Sequence, residues 1–254
     1  MTSPTDLNTY SVDCGGGGIK VAVVAFDGRL LTPNVRLPTP YPIVPDDFVE
    51  AIASLRDTLE TDSQRASIGI PGMIRSGIVR YTPHYVTESG PFSAPRDDLV
   101  AAWQDFDAQS ALQARLGVPT LVVNDAELAG AGVIAGTGLE VTITLGTGMG
   151  FALFNDGSLL PKIELSQAIA QTDTTYDRWL GALERTRIGN DAWSARVVST
   201  IATLRRVFFW DRLYLGGGNA QNLDRVTVDA LGADVTIVEN VMALLGGPRL
   251  WDRR

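Results

Sequence analysis

Two residue types are nearly missing from this chain of 254 residues. Cys14 is its single cysteine and His84 its single histidine. One cysteine excludes an intramolecular disulfide, and the two together cannot make a structural zinc site of Cys and His ligands. Long apolar runs are also missing. None approaches the roughly 18 residues of a membrane-spanning helix, so no membrane partner is expected. Met1 to Leu7 lacks the basic-then-apolar pattern of a secretory signal, which makes a cytoplasmic protein the expectation. Positive charge is in deficit, with 21 Lys and Arg against 29 Asp and Glu. Non-specific nucleic-acid binding relies on Lys and Arg neutralising phosphates, so this balance argues against a nucleic-acid partner. It leaves a phosphorylated small molecule open, because backbone N–H groups can hold an anion in an acidic protein. The tryptophans at 103, 179, 193, 210 and 251 are scattered and read as core or interface residues.

What the chain does have is a folded composition, with 45% hydrophobic and 20% charged residues. The length suits one large domain or two of about 125 residues. It also has a repeat. Val12-Asp13-Cys14-Gly15-Gly16-Gly17-Gly18-Ile19-Lys20 leads through an apolar run to Asp27-Gly28. Thr144-Leu145-Gly146-Thr147-Gly148-Met149-Gly150 leads through another to Asn155-Asp156-Gly157. Each copy reads strand, glycine turn, strand, Asp-Gly turn, strand. Glycine turns leave backbone N–H groups approachable by an oxyanion such as phosphate. One such loop in each half suggests a phosphate chain held between two similar domains.

Strands are expected at 9–13, 19–26 and 30–37, then a proline-rich connection at 38–45. A helix over 46–59 places Phe48, Ile52, Leu55 and Leu59 on one face. A buried strand at 66–70, a hairpin at 74–81 and a loop at 88–95 follow. A once-broken helix runs from Asp97 until Gly117 stops it. Thr120 to Asn124 reads as a strand, Ala126 to Ala135 as a helix, and Gly136 to Gly138 as hinge material. The second half offers a strand triplet over 140–160 and a helix over 190–208. Strands at 212–215 and 235–238 and a short helix at 239–245 complete it. Strand triplets followed by alternating helices and strands indicate an α/β fold built twice.

Several segments could carry chemistry. Asp13 ends a strand beside the first glycine loop and could hold Mg²⁺ directly or through water, while a hairpin without ligand remains the plain alternative. Thr147 adds a hydroxyl donor to the second loop. Asn124-Asp125 stands where a strand meets a helix, the end at which ligands gather in α/β proteins. Asp125 suits two roles equally, a base accepting a substrate hydroxyl proton or a simple helix cap. Gly216, Gly217 and Gly218 would let a nucleotide approach the backbone, or merely make a turn. Glu164 could accept from a sugar hydroxyl or be a surface residue, and His84 could contact substrate or be incidental.

Taken in order, eight segments resemble the ROK family of sugar kinases, a branch of the actin-like ATPases, and most of all its actinobacterial polyphosphate/ATP glucokinases. They are Asp13 to Lys20, Ile68-Gly69-Ile70-Pro71-Gly72, Asn124-Asp125-Ala126, Thr144 to Gly150, Asn155-Asp156-Gly157, Pro161 to Leu165, Gly216 to Gly218, and Glu239-Asn240. The resemblance implies an actin-like (ribonuclease H-like) fold. Its two similar lobes, 1–124 and 125–254, would flank a central cleft, with the helix near 239–245 returning to the first. It implies ATP or polyphosphate as donor, Mg²⁺ at Asp13, and phosphates on Gly15, Gly16, Gly17, Gly18, Lys20, Gly146, Thr147 and Gly148. Adenosine would lie on Gly216 to Gly218, and a homodimer is what the family suggests. Pro71, Gly72, His84, Asn124 and Glu164 would contact a sugar or polyol, with Asp125 as general base.

Some positions depart from that family pattern. Gln167 of Glu164-Leu165-Ser166-Gln167 replaces a histidine, His84 an asparagine, and Gly17 a Thr or Ser. The stretch from His84 to Asn124 is longer than usual, and a Cys-rich zinc motif is missing. The expectation is therefore a kinase acting on a primary hydroxyl of a modified hexose, amino sugar or cyclitol rather than plain glucose. The rival reading is a catalytically weak, sugar-binding sensor.

Overall fold

The computed structural model describes residues 7–239 and 242–252. Asn240, one half of the Glu239-Asn240 segment, lies outside them. The chain divides into two compact units. One comprises the residues up to Gly132 together with the C-terminal stretch from Ala243, and the other is Val133–Met242. The division falls between Gly132 and Val133, at the last residue of the helix Asp125–Val133, and not before that helix, where the sequence reading put it.

The first unit is built on a five-stranded sheet. Thr9–Gly15 pairs antiparallel with Gly18–Val24, which pairs with Val35–Leu37. On its other side Thr9–Gly15 runs parallel to Arg65–Ile70, which runs parallel to Thr120–Asn124. Alternation gives the sheet two unlike faces. Tyr10, Val12, Cys14, Ala66, Ile68, Ile70 and Val122 are buried against Phe48 and Ile52 of the helix Pro45–Asp57 and Leu112 of the helix Ala108–Leu116. Alternate positions carry small polar groups that accept the C-terminal helix, Met242–Arg249. Ser11 Oγ donates to Leu244 O at 2.6 Å and Ser67 Oγ to Gly247 O at 2.7 Å. That helix also crosses Asp125–Val133 so closely that a Cβ on Gly246 would strike Leu128 O.

The second unit repeats the strand order. Leu139–Leu145 pairs antiparallel with Met149–Asn155, which pairs with Ser158–Leu159. Arg212–Gly216 lies parallel to Leu139–Leu145, and Val235–Ile237 lies beyond it. Val141, Ile143, Leu145, Phe151, Leu213 and Leu215 pack with Trp193, Val197, Ile201 and Leu204 of the helix Asn190–Phe208.

The departures from expectation are local. In the second Asp-Gly turn both Asp156 and Gly157 have positive φ, as a type I′ hairpin requires, and a strand follows at once. In the first only Gly28 does, and Leu30 makes a single bridge to Val24 before regular pairing resumes at Val35. The break in the helix after Asp97 is a two-residue strand, Phe106–Asp107, whose Asp107 caps the next helix through Ser110 N–H at 2.9 Å. The last helix runs Met242–Arg249 and not 239–245. A hairpin of Ile169–Gln171 with Thr174–Thr175 and the helices Tyr176–Leu180, Ala182–Ile188 and Arg225–Leu231 have no expected counterpart. Among the described residues, no helix is long and apolar enough to cross a membrane.

Candidate active site

In the first unit the strand ends bring together the residues from Asp13 to Lys20, 70–72 and 124–127. Asn124 closes its strand and opens the helix Asp125–Val133. Its Oδ1 accepts from Ala126 N–H at 3.0 Å, and Glu127 Oε2 accepts from Asn124 N–H at 2.8 Å. Asn124, and not Asp125, thus caps the helix, and Glu127 reaches back to the Asn124 N–H as in a capping box. Asn124 Nδ2 lies 3.0 Å from Gly72 O, 3.3 Å from Ile70 O and 2.7 Å from Asp125 Oδ1. Asn124 is 2% exposed, so these partners satisfy an amide that is out of water. Asp125 Oδ1 accepts from Ala126 N–H as well, which fixes the plane of its carboxylate. Pro71 and Gly72 thus adjoin Asn124 and Asp125.

Asp13 and Asp125 approach the same place from two elements. Asp13 is in register with Gly69, and a Cβ on Gly69 would lie 3.0 Å from Asp125 Cα. Asp13 is not alone there. Its Oδ2 pairs with Lys20 Nζ at 3.0 Å across the hairpin, so a residue expected at the metal and one expected at phosphate form one ion pair. The carboxylates of Asp13 and Asp125 also add to the burial that holds the Cys14 thiol well above its ordinary pKa.

The first glycine loop is held from behind. Thr39 Oγ1 donates to Gly15 O and Tyr41 Oη to Gly16 O, each at 2.9 Å. Both hydroxyls come from the proline-rich connection, where no pattern marked them. A Cβ on Gly16 would stand 2.7 Å from Pro91 and 3.0 Å from the His84 ring, whereas one on Gly17 would meet nothing within 4 Å. His84 is therefore packed under the loop and edge-on to Phe92. It is 7% exposed, and burial pushes its pKa down to about 4, so the ring is neutral at pH 7.

In the second unit Gly146, Thr147 and Gly148 adjoin Gly216, Gly217 and Gly218. Asn219 joins the two segments. Its N–H donates to Leu145 O at 2.9 Å and its Nδ2 to Gly146 O at 2.7 Å. Asp177 Oδ1 accepts from Met149 N–H at 3.1 Å. Neither residue was expected at a site. Asn219 stood beside a named motif, but Asp177 lies in a helix of five residues that carries no periodic signal.

Glu164, Ser166 and Gln167 form a chain of donors. Gln167 Nε2 donates to Ser166 Oγ at 3.1 Å, and Ser166 Oγ donates to Glu164 Oε1 at 2.7 Å. Glu164 Oε2 is buried without a hydrogen-bond partner and lies 4.0 Å from Lys162 Nζ. Lys162 itself donates to Phe151 O at 2.6 Å.

Known proteins share this chain's sequence pattern and fold. The ROK family model matches residues 9–161. Polyphosphate glucokinase of Mycobacterium tuberculosis is 27% identical over 232 residues, 87% of this chain and 81% of that protein. N-acetylmannosamine kinase of Citrobacter koseri is 33% identical over 159 residues, 61% of this chain and 50% of that one. The inorganic polyphosphate/ATP-glucomannokinase from Arthrobacter sp. strain KM superposes with a TM-score of 0.77 at 26% identity, covering 97% of this chain and 98% of that one. A ROK family glucokinase from Streptomyces griseus, in complex with glucose and AMPPNP, gives 0.75 at 18% identity over 94% and 97% of the two chains. The fold is that of the actin-like ATPases.

Proposed function

As the chain belongs to the ROK family and is a carbohydrate kinase, we propose that it moves a phosphoryl group from ATP or polyphosphate onto a primary hydroxyl of a modified hexose, amino sugar or cyclitol. Plain glucose is a poor acceptor on this reading. The observation that carries the catalytic assignment is the carboxylate of Asp125, oriented by Asn124 and Ala126 at the end of a strand and beside the strand of Asp13.

Phosphoryl transfer asks little covalent chemistry of a protein. It needs the reactants in line, the developing charge neutralised and a base at the acceptor. Asp125 takes the acceptor proton as the hydroxyl attacks. Asn124, buried and fixed by two backbone carbonyls, supports that carboxylate. The two glycine loops and the Thr147 hydroxyl supply donors to the phosphate oxygens. Gly216 to Gly218 line the nucleotide.

Among the described residues, no group of three or more His, Cys, Asp or Glu could cage a metal. Mg²⁺ keeps waters and commonly takes one or two carboxylates with substrate phosphates. Asp13, with its side chain 15% exposed and one oxygen on Lys20, fits that single-carboxylate role. Bound there, Mg²⁺ would neutralise charge on the phosphates.

The acceptor preference rests on Glu164. Ser166 donates to Glu164 Oε1, Oε2 is the acceptor left without a partner for a ligand to meet, and Gln167 spends its Nε2 on Ser166. A site discriminates chiefly by leaving its own buried polar groups unpaired against the wrong ligand. The test is steady-state kinetics on glucose, mannose, N-acetylmannosamine and myo-inositol, with ATP and with polyphosphate. Glucose should show a kcat/KM at least about 10²-fold below the best acceptor. Glucose turnover with kcat/KM near 10⁵ M⁻¹s⁻¹, in the ordinary enzyme range, would overturn the preference.

A further inference from the structure

Asp177 lies against the second glycine loop. It is 8% exposed, and its Oδ1 accepts from Met149 N–H at 3.1 Å. The same oxygen stands where a side chain on Gly148 would begin, so the loop lies directly on the carboxylate. The loop is gripped at a second point, because Ala182 N–H lies 3.1 Å from both Gly146 O and Thr147 O. Gly146 N–H turns inward to Gly148 O at 2.9 Å. With these groups engaged, the N–H groups of Thr147 and Gly148 and the Thr147 hydroxyl are the donors the loop has left for an oxyanion.

We propose that Asp177 is a positioning residue for the phosphoryl donor, holding the second glycine loop so that its remaining donors meet the donor's phosphate oxygens. The proposal rests on the reading of Gly146 to Gly148 as a phosphate loop. It adds a residue that acts from behind that loop without touching the donor.

The electrostatics agree with the geometry. Burial raises the Asp177 carboxyl to about 6. The Met149 N–H opposes this, Glu164 reinforces it, and Arg178 opposes it. Lys162 Nζ lies 4.0 Å from Glu164 Oε2. Protonation converts an acceptor-only carboxylate into a weaker partner for Met149 N–H. The grip is therefore firmest above about pH 6.

Two variants test this. Asp177→Ala removes the acceptor, whereas Asp177→Asn keeps an oxygen for Met149 N–H but cannot titrate. Hydrogen exchange reads the loop without any need for turnover. Amides of residues 146–150 should exchange at least about tenfold faster in the Ala variant, the loss of one net hydrogen bond, with the rest of the chain unchanged. In kinetics, the Ala variant should raise KM for ATP and for polyphosphate by a similar factor and leave acceptor KM within twofold. The Asn variant should keep the wild-type donor KM at pH 8 and lose the rise in donor KM that the wild type shows from pH 7 to pH 5. A folded Ala variant with unchanged exchange at 146–150 and unchanged donor KM overturns the proposal. Where the Ala variant fails to fold, an Asn variant with an unaltered pH dependence does the same. A wild type inactive on every acceptor would instead count against the kinase reading, and the exchange experiment would still decide the role of Asp177 at the loop.

Discussion

Asp125 is both a helix-terminal residue and the proposed base, and its geometry allows the roles to be separated. Asp125→Asn keeps an Oδ1 acceptor for Ala126 N–H, so the helix start survives. It loses the capacity to take a proton. The expected result is a fall in kcat of about 10²–10⁴-fold with nucleotide binding and melting temperature nearly unchanged. A variant that keeps more than about a third of wild-type kcat would leave Asp125 as a residue of the helix start alone. Ser166 gives a second separation. Ser166→Gly frees Glu164 Oε1 and releases Gln167 Nε2. Relative kcat/KM for glucose against the best acceptor should rise by roughly tenfold, the effect of one hydrogen bond restored to a ligand. An unchanged ratio would remove Ser166 from the specificity argument. Single residues were legible where they sat in a local pattern. Asn124 and Asp125 stood at a strand-to-helix junction, whereas Glu127, which holds the Asn124 N–H, was not singled out. Asp177, Thr39 and Tyr41 were not legible, because each acts on a glycine loop distant in sequence and no local spacing encodes such a contact.

Among elements, the strand triplets and the long helices could be read because each carries its own periodicity. Phe48, Ile52 and Leu55, and likewise Trp193, Val197, Ile201 and Leu204, are buried as their spacing requires. The short elements between 169 and 188 have too few residues to show a period. The C-terminal helix was expected to end at 245, and its continuation to Arg249 escaped for another reason. Met242–Arg249 contains Gly246, Gly247 and Pro248, which argue against a helix by propensity. The packing explains them. Ser11 and Ser67 present hydroxyls to this helix, and Leu128 O approaches Gly246 where a side chain would otherwise be. Helix-to-sheet closeness thus overrides propensity. Gly246→Ala would improve the helix in isolation by about 1 kcal/mol. Against the backbone of Asp125–Val133 it should instead destabilise the protein, by about 1–3 kcal/mol, the usual cost of overpacking. Urea unfolding of the two proteins measures the sign, and a stabilised variant would show that the contact yields.

At the scale of the whole molecule, the two units carry buried titrating groups of opposite sense. His84 belongs to the first and Asp177 to the second. The folded pKa of His84 is lowered to about 4 by burial, against about 6.5 when unfolded. Below pH 6.5 the unfolded chain binds a proton that the folded chain refuses, so stability falls as pH drops from 6.5 toward 4. Asp177 runs the other way. Its folded pKa is raised by burial to about 6, against 3.8 when unfolded, so its contribution is fully present below pH 3.8 and is lost as pH rises through 6. Each pH unit inside either window is worth about 1.4 kcal/mol. Between pH 7 and pH 5, His84 should therefore cost about 2 kcal/mol and Asp177 return about 1 kcal/mol, a partial cancellation. Substitution exposes each half. Relative to wild type, His84→Asn should gain about 2 kcal/mol between pH 7 and pH 5, and Asp177→Asn should lose about 1 kcal/mol over the same interval. The quantity to measure is the change in unfolding free energy with pH, from urea titrations at both values. It is insensitive to any pH-independent packing defect that either substitution introduces. Identical pH dependence in all three proteins would mean that neither side chain titrates as its burial dictates. A change of the same sign in both variants would contradict the opposed senses on which the cancellation depends.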